Sequence, residues 1–170
     1  MGDWSEEVHA VLKMNDVAVA AYVPEGGIKK LIAICDEDPD IRNVPLANES
    51  EGPCVLAGSW LGGQKGILLM QGSGVGNCIN NFGLQIGCNF PIVTLVPLRG
   101  SWGEGNSWMT YQGRTVETLF QVADFNTYYI DDAEDVAPTV DAGLRMAYQA
   151  NARVAIILSQ RVTGAKEFKR

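Results

Sequence analysis

Short apolar runs recur along the chain, and most lack the alternation of apolar and polar residues that marks a half-exposed strand. A continuous apolar run of this length is typical of a strand covered on both faces of a sheet. We therefore predict six buried strands. They span residues 17–23, 41–46, 66–70, 91–98, 127–130 and 154–158.

The segments between these strands are predicted to be helices. The first has Val8, Val11 and Leu12 at helical spacing, and Asp3 or Ser5 can accept hydrogen bonds from its first free amides. The predicted helices span residues 3–15, 28–34, 51–61, 76–86, 115–122 and 132–151, the last interrupted at Pro138. Because parallel strands need crossover helices, this order predicts an α/β fold. We expect one domain, residues 1–170, with a doubly wound parallel sheet of about six strands and helices on both faces.

The charge balance argues against two classes of partner. Thirteen Lys and Arg residues against twenty Asp and Glu residues give a net charge of -7, whereas nucleic-acid and polybasic membrane contacts need clustered positive charge. No apolar run approaches the ~20 residues that span a bilayer. The acidic, amphipathic segment MGDWSEEVHAVLK does not resemble a secretory signal. We expect a cytoplasmic protein that binds neither nucleic acid nor a membrane.

The four cysteines give little indication of a metal site. Cys35, Cys54, Cys78 and Cys88 form no C-x-x-C pair, each lies in an apolar context, and His9 is the only histidine. We expect four reduced and buried thiols that serve as small apolar side chains.

A glycine-rich segment, GSGVGN at residues 72–77, follows the third predicted strand and opens the next helix. Free backbone amides at such a helix start can bind phosphate. However, the spacing is G-x-G-x-G rather than the G-x-G-x-x-G of dinucleotide sites, and there is no G-K-[ST]. A tight turn that lets helix and strand approach closely is an equally good interpretation.

Glu49 follows the second predicted strand, so it lies at the carboxyl edge of the sheet, where ligands bind in open α/β folds. From position alone it is a helix cap, a solvated acid, or an acid held in an apolar pocket and suited to protonating a ring nitrogen. A loop rich in glycine and tryptophan, residues 99–109, is predicted to be functional. The basic tail, residues 164–170, is predicted to be frayed.

Two neighbouring motifs carry a family resemblance. Glu49 is followed nine residues later by Gly58 in ESEGPCVLAGSWLGG, and GILLMQGSGVGNCINN follows. Together with Val23-Pro24 and the RGSWGE loop at residues 99–104, they resemble thiamine diphosphate-dependent decarboxylases. The similarity is to the alpha-type, pyrimidine-binding subunit of sulfopyruvate decarboxylases and to phosphonopyruvate decarboxylases. It covers nearly the whole chain.

The resemblance implies that Glu49 is catalytic, because in such enzymes this acid hydrogen-bonds the aminopyrimidine of thiamine diphosphate. It also places the glycine loop at the cofactor. The implied cofactor-binding residues are Glu49, Gly72, Ser73, Gly74, Val75, Gly76 and Asn77.

A sulfonate or phosphonate on the substrate needs positive donors, and an arginine fork suits it best. Arg99, at the end of the fourth strand, is the best-placed candidate, whereas Lys29 and Lys30 can simply be solvated. Pro24, Gly26 and Gly27 are predicted to bind substrate as well, although a plain turn explains the two glycines equally well.

Half of the family's site is missing from this sequence. The Gly-Asp-Gly motif that holds Mg²⁺ and the diphosphate is absent, and Asn80-Asn81 falls inside the predicted helix 76–86. We therefore assign no metal ligand here and expect a beta-type partner subunit to hold Mg²⁺ and the diphosphate.

The resulting hypothesis is the small subunit of a hetero-oligomeric 2-keto acid decarboxylase that acts on an anionic substrate such as sulfopyruvate or phosphonopyruvate. Relatives often have an Arg-Glu-Glu-Glu run around the catalytic acid, whereas this chain has ANESEG at residues 47–52, which leaves the substrate open. The alternatives are a carboligase that uses the same cofactor, or a non-catalytic flavodoxin-like domain that binds a phosphate at the glycine loop.

Overall fold

The computed structural model describes residues 3–165. Its strands are β1 (Val17–Tyr22), β2 (Arg42–Pro45), β3 (Lys65–Leu69), β4 (Ile92–Pro97), β5 (Asn126–Ile130) and β6 (Arg153–Leu158). They form one six-stranded sheet in the order β2-β1-β3-β4-β6-β5, and all neighbouring pairs are parallel. The predicted doubly wound parallel α/β fold is confirmed, and every predicted strand boundary lies within one residue of the observed one.

Helices cover both faces of this sheet. They are α1 (Trp4–Met14), α2 (Lys29–Glu37), α3 (Glu51–Leu61), α4 (Val75–Cys78), α5 (Phe82–Gly87), α6 (Ser107–Val122), α7 (Val136–Ala150) and α8 (Gln160–Thr163). Among residues 3–165, no helix is both long and apolar enough to cross a membrane.

The central strands are apolar throughout because successive side chains enter two different cores. Leu69 and Leu95 pack with α1, α2 and α7 on one face, whereas Leu68 and Val96 pack with helices α3 to α6 on the other. All six residues of β4 are buried. This three-layer packing explains why the strands are continuous apolar runs.

The helix predicted over residues 76–86 is wrong. The chain forms α4 and α5 instead, and a turn at residues 79–81 separates them. The side chain of Asn81 donates a hydrogen bond to the backbone oxygen of Ser50 (2.6 Å). The turn is thereby tied to the loop before α3, and Asn80-Asn81 lies outside any helix.

The helix predicted over residues 115–122 begins eight residues earlier, at Ser107. Asn106 caps it by accepting a hydrogen bond from the backbone N–H of Trp108 (3.2 Å). Gly113 lies inside this helix, where a Cβ would be 2.7 Å from the backbone oxygen of Arg99. The glycine allows close backbone packing rather than a turn.

Two further predictions need correction. Helix α7 runs unbroken through Pro138, which lies in its first turn, where an amide has no helical partner. Cys54 and Cys88 are exposed, whereas Cys35 and Cys78 are buried as predicted. In α3 the buried residues are Gly52, Pro53, Leu56 and Ala57, and Cys54 is not one of them. Of the predicted frayed tail, residues 166–170 lie outside the described residues.

Candidate active site

The loops that follow β1, β3 and β4, together with residues 163–165, line a cavity of about 460 Å³. Strand β1 lies beside β3, and the chain leaves these two strands toward opposite edges of the sheet. Such a switch point opens a crevice at the carboxyl ends of the strands, where ligands bind in this class of fold.

The residues predicted to bind substrate all line this cavity: Pro24, Gly26, Gly27 and Arg99. At Gly27 a Cβ would lie 2.9 Å from Oε2 of Glu25 and 3.1 Å from Cβ of Pro97, so only glycine fits without a shift. At Gly26, no atom of the described residues lies within 4 Å of such a Cβ. Packing therefore explains one of the two glycines.

Glu25 is a cavity residue that sequence reasoning missed. Its carboxylate caps the turn at Gly26–Ile28 and accepts a hydrogen bond from the backbone N–H of Gly27 (2.6 Å). Burial raises the pKa of Glu25, although nearby backbone amides and the charge of Arg99 act in the opposite direction. An acid directly before a Gly-Gly turn is a capping signal that could have identified it.

Arg99 lines the same cavity, but its guanidinium already has a carboxylate partner. Its Nε and Nη2 donate to the two oxygens of Glu104 at 2.9 and 2.8 Å, a bidentate pair. The side chain of Glu104 is only 2% exposed, and the ion pair with Arg99 lowers the pKa of Glu104. The predicted arginine fork is therefore used inside the protein, and a ligand in the cavity can meet only the remaining edge.

Glu49 is not one of the residues that line this cavity, and it lies in the segment between β2 and α3. It is half-buried, and its Oε2 accepts a hydrogen bond from the side-chain amide of Asn77 (2.9 Å). A Cβ at Gly74 would overlap Cγ of Glu49 and lie 2.7 Å from its Oε1. The glycine therefore makes room for the acid, so the structure brings together three of the predicted cofactor-binding residues.

The other predicted residues of the glycine loop have different environments. Gly72 is buried, and a Cβ there would lie 2.9 Å from Cδ1 of Leu98. The side chain of Val75 is fully buried in the core. Ser73 is half-buried, and Gly76 is exposed. Residue 72 serves close packing, whereas Gly74 and Asn77 are the positions that face Glu49.

The described residues offer no cluster of metal ligands. In residues 3–165, no group of three or more His, Cys, Asp or Glu side chains is arranged to hold a metal ion. The side-chain amide of Asn81 donates a hydrogen bond to the backbone oxygen of Ser50, so this residue has a structural contact in the turn.

No family model matches the chain. Among curated relatives, the sulfopyruvate decarboxylase subunit alpha of Methanocaldococcus jannaschii is 28% identical over 151 residues, which covers 88% of this chain and 89% of that protein. The subunit of the same name from Methanothermobacter thermautotrophicus is 32% identical over 123 residues, covering 72% of this chain and 74% of that protein. The chain belongs to the sulfopyruvate decarboxylase alpha-subunit family. The family resemblance seen in the sequence is thus confirmed.

The chain is also similar to a phosphonopyruvate decarboxylase from Streptomyces viridochromogenes. It is 32% identical over 131 residues, which cover 76% of this chain but only 33% of that protein. These names support a decarboxylase of an anionic keto acid. Among solved structures, a 2-oxoglutarate:ferredoxin oxidoreductase from Magnetococcus marinus matches with a TM-score of 0.74 at 14% identity. The match covers 95% of this chain and 29% of that one, and it shows the fold alone.

Proposed function

We propose that this chain is the pyrimidine-binding subunit of a thiamine diphosphate-dependent decarboxylase whose substrate is a 2-keto acid with a second anionic group. One observation carries the proposal: Glu49 stands at the carboxyl edge of the sheet beside Gly74, with Oε1 outside its hydrogen bond to Asn77. The names of the relatives, sulfopyruvate and phosphonopyruvate decarboxylases, support the reaction and the substrate class.

The residues around Glu49 fit the aminopyrimidine half of the cofactor. Thiamine diphosphate, when bound, supplies the carbon nucleophile for the keto carbon and accepts the electrons released with carbon dioxide. Glu49 would hold a proton at a ring nitrogen through Oε1, while Asn77 keeps Oε2 oriented. Because Gly74 has no side chain to cover the carboxylate, a flat ring can approach it.

The same residues do not fit the diphosphate half. Magnesium prefers oxygen ligands together with phosphate oxygens, and residues 3–165 gather no cluster of acidic ligands. We therefore propose that a beta-type partner subunit holds the diphosphate and Mg²⁺. The designation of the relatives as subunit alpha supports a second kind of subunit.

We place the second anionic group of the substrate in the cavity beside Arg99. The ion pair with Glu104 cancels most of the positive charge of Arg99, so recognition depends on oriented N–H groups more than on net charge. Glu25 also lines the cavity, and its carboxylate disfavours an additional anion when it is ionised.

The decisive experiment replaces Glu49 by Gln in the complex with a subunit that carries the Gly-Asp-Gly motif. Carbon dioxide release from sulfopyruvate and phosphonopyruvate is measured with thiamine diphosphate and Mg²⁺. We expect a roughly 10²–10⁴-fold lower kcat, because the amide cannot exchange a proton with the ring nitrogen. Glu51→Gln is the matched control, since Glu51 lies two residues away and accepts only a backbone hydrogen bond, from Ala47 (3.0 Å).

Equal activity of the Glu49→Gln and wild-type complexes would refute the role of Glu49. Robust decarboxylation by this chain without any partner would refute the division of the site between subunits. Analysis of the product then separates release of an aldehyde from ligation to a second carbonyl compound.

A further inference from the structure

Gln160 is a fully buried amide that joins two distant segments at the edge of the cavity. It begins α8, is 1% exposed, and follows the last strand of the sheet. Its Oε1 accepts hydrogen bonds from the backbone N–H groups of Ser101 and Trp102, both at 3.0 Å. Its Nε2 donates to Oε2 of Glu104 at 3.1 Å. Both ends of the amide are therefore used on a loop that lies more than fifty residues away in sequence.

The bond from Gln160 completes the shell of the Glu104 carboxylate. Glu104 also accepts hydrogen bonds from Nε and Nη2 of Arg99 and from the backbone N–H of Asn106 (2.9 Å). A carboxylate has about four acceptor positions, and four bonds reach this one. Rotation of the carboxylate is therefore restricted from both sides.

This shell sets the orientation of Arg99. Two parallel bonds hold the guanidinium in the plane of the Glu104 carboxylate. Nη1 is the nitrogen outside the pair, and Arg99 lines the cavity. An arginine held in this way loses little side-chain entropy when an anion arrives, which is a gain in binding.

Helix α8 makes a second contact with this loop, at Trp102. Gly100 and Gly103 have positive φ angles of 79° and 63°, and Trp102 is 51% exposed. The Arg161 guanidinium stands over the Trp102 ring at 5.6 Å, and it too belongs to α8. Helix α8 thus contacts the loop at two points, of which Gln160 is the buried one, while the backbone of Met109 in α6 packs against Gly100.

We propose that Gln160 is a positioning residue for the substrate's second anionic group, because it fixes Glu104 and the loop so that Arg99 presents its Nη1 edge to the cavity. The inference rests on the proposed function for the identity of the anion. It goes beyond that function in assigning specificity to a residue that itself touches no substrate.

The test compares two keto acids in the complex with the partner subunit: sulfopyruvate, which has the second anionic group, and pyruvate, which lacks it. For Gln160→Met, which keeps the volume and removes both hydrogen-bonding ends, we expect the KM for sulfopyruvate to rise roughly 10- to 100-fold with kcat little changed. The kcat/KM for pyruvate should stay within about threefold of the wild-type value. Gln85→Met is the matched control, because Gln85 is also fully buried but bonds the backbone oxygen of Pro53 (2.7 Å).

A double-mutant cycle with Arg99→Met separates positioning from simple support of the fold. If Gln160 acts through Arg99, the two losses in sulfopyruvate affinity will not add. If the losses add, or if both keto acids are affected equally, the inference is wrong. Should Gln160→Met fail to fold, Glu104→Gln serves in the same cycle, because it keeps the side-chain volume but replaces one acceptor of the arginine pair with a donor.

A binding measurement distinguishes failure of this inference from failure of the proposed function. Calorimetry with 3-sulfopropanoate, which has both acid groups but no ketone, requires no decarboxylation. If the complex turns over neither keto acid but binds this compound in a Gln160-dependent manner, the proposed reaction fails and the positioning role stands. Binding that is unaffected by Gln160→Met overturns the positioning role whatever the activity.

Discussion

Two carboxylates at the same edge of the sheet are held in opposite ways. Glu104 is 2% exposed and accepts four hydrogen bonds, from Arg99, Asn106 and Gln160. Glu49 is half-buried, and within residues 3–165 its carboxylate has a single hydrogen bond, from the exposed Asn77. The acceptor positions of Glu104 are all used without a ligand, whereas Glu49 has acceptor positions left for one.

The difference indicates how the two acids can serve a ligand. A carboxylate whose acceptor positions are all used cannot take a new partner without losing an old one, so Glu104 is suited to orienting Arg99. A carboxylate with unused positions can bind and exchange a proton with an incoming group, as proposed for Glu49. The less completely bonded acid is therefore the better candidate for chemistry.

The largest effect is expected for Gly74→Ala, which tests the role of Glu49 in this comparison through kcat. In Gly74→Ala the new methyl group overlaps Cγ of Glu49, so the acid must rotate away from Asn77. Because a misplaced catalytic group can cost on the order of 10²-fold in rate, we expect a loss of at least that size in kcat of the complex. The melting temperature should change little, since the Glu49 side chain can move toward solvent.

Gly83→Ala is the matched control for that experiment. Gly83 lies in the neighbouring helix α5, and no atom of residues 3–165 lies within 4 Å of a Cβ there. If Gly74→Ala and Gly83→Ala had the same kcat, the close contact between Gly74 and Glu49 would have no role in activity.

The next largest effect concerns the loop that carries Glu104. Gly100→Ala combines a φ of 79° with an overlap between the new Cβ and the backbone oxygen of Met109. Gly63 has a similar φ of 76°, but no atom of the described chain lies within 4 Å of its Cβ position. Urea denaturation should therefore show a loss of about 1 kcal/mol for Gly63→Ala and of about 3 kcal/mol or more for Gly100→Ala.

Equal losses for these two variants would mean that the loop relaxes around Met109. The tight packing of residues 100 and 109 would then contribute nothing to the rigidity of the Glu104 cluster.

The smallest expected effect is on the pH dependence of the free energy of unfolding, and it compares Glu104 with Glu25. The pKa of Glu104 is lowered by Arg99, so its contribution to the free energy of unfolding is present above the ordinary pKa of a glutamate and is lost as the pH falls through the lowered value. The pKa of Glu25 is raised by burial, so its contribution is present below the ordinary pKa and is lost as the pH rises through the raised value. The two slopes have opposite signs, each at most about 1.4 kcal/mol per pH unit.

Urea denaturation at several pH values measures both slopes. In Glu104→Gln, the free energy of unfolding should no longer fall as the pH is lowered through the pKa of Glu104. In Glu25→Gln, it should no longer fall as the pH is raised through the pKa of Glu25. Glu25→Gln keeps an oxygen that can accept the hydrogen bond from Gly27. An unchanged pH profile in Glu104→Gln would contradict the effect of Arg99 on Glu104, and one in Glu25→Gln would contradict the effect of burial on Glu25. Glu37→Gln, at an exposed position, is the control.

The sequence alone determined the layered fold and indicated the family. A strand buried on both faces must be apolar at every position, so the six runs could be located to within one residue. The spacing from Glu49 to Gly58 and the loop after β3 were sufficient to indicate the family, which the relatives confirm.

Where local pattern and packing disagree, only the tertiary structure decided. The segment 99–109 suggested a loop, yet its last three residues belong to α6, whose Gly113 packs directly against the backbone at Arg99. Residues 76–86 suggested one helix, yet the bond from Asn81 to Ser50 accompanies a turn that divides it. Local propensity records neighbours along the chain, and these contacts involve segments that are distant in sequence.

The site shows the same division. Glu49 could be proposed from the sequence because the family resemblance implies an acid at that point of the motif. Its bond to Asn77, 28 residues away, and the contacts of Gln160 with the loop after β4, 56 to 59 residues away, follow from how strands meet at one edge of the sheet. The sequence indicated which acid to propose for the chemistry, and the tertiary structure decided how each acid is held, because hydrogen-bond partners are selected by position in space.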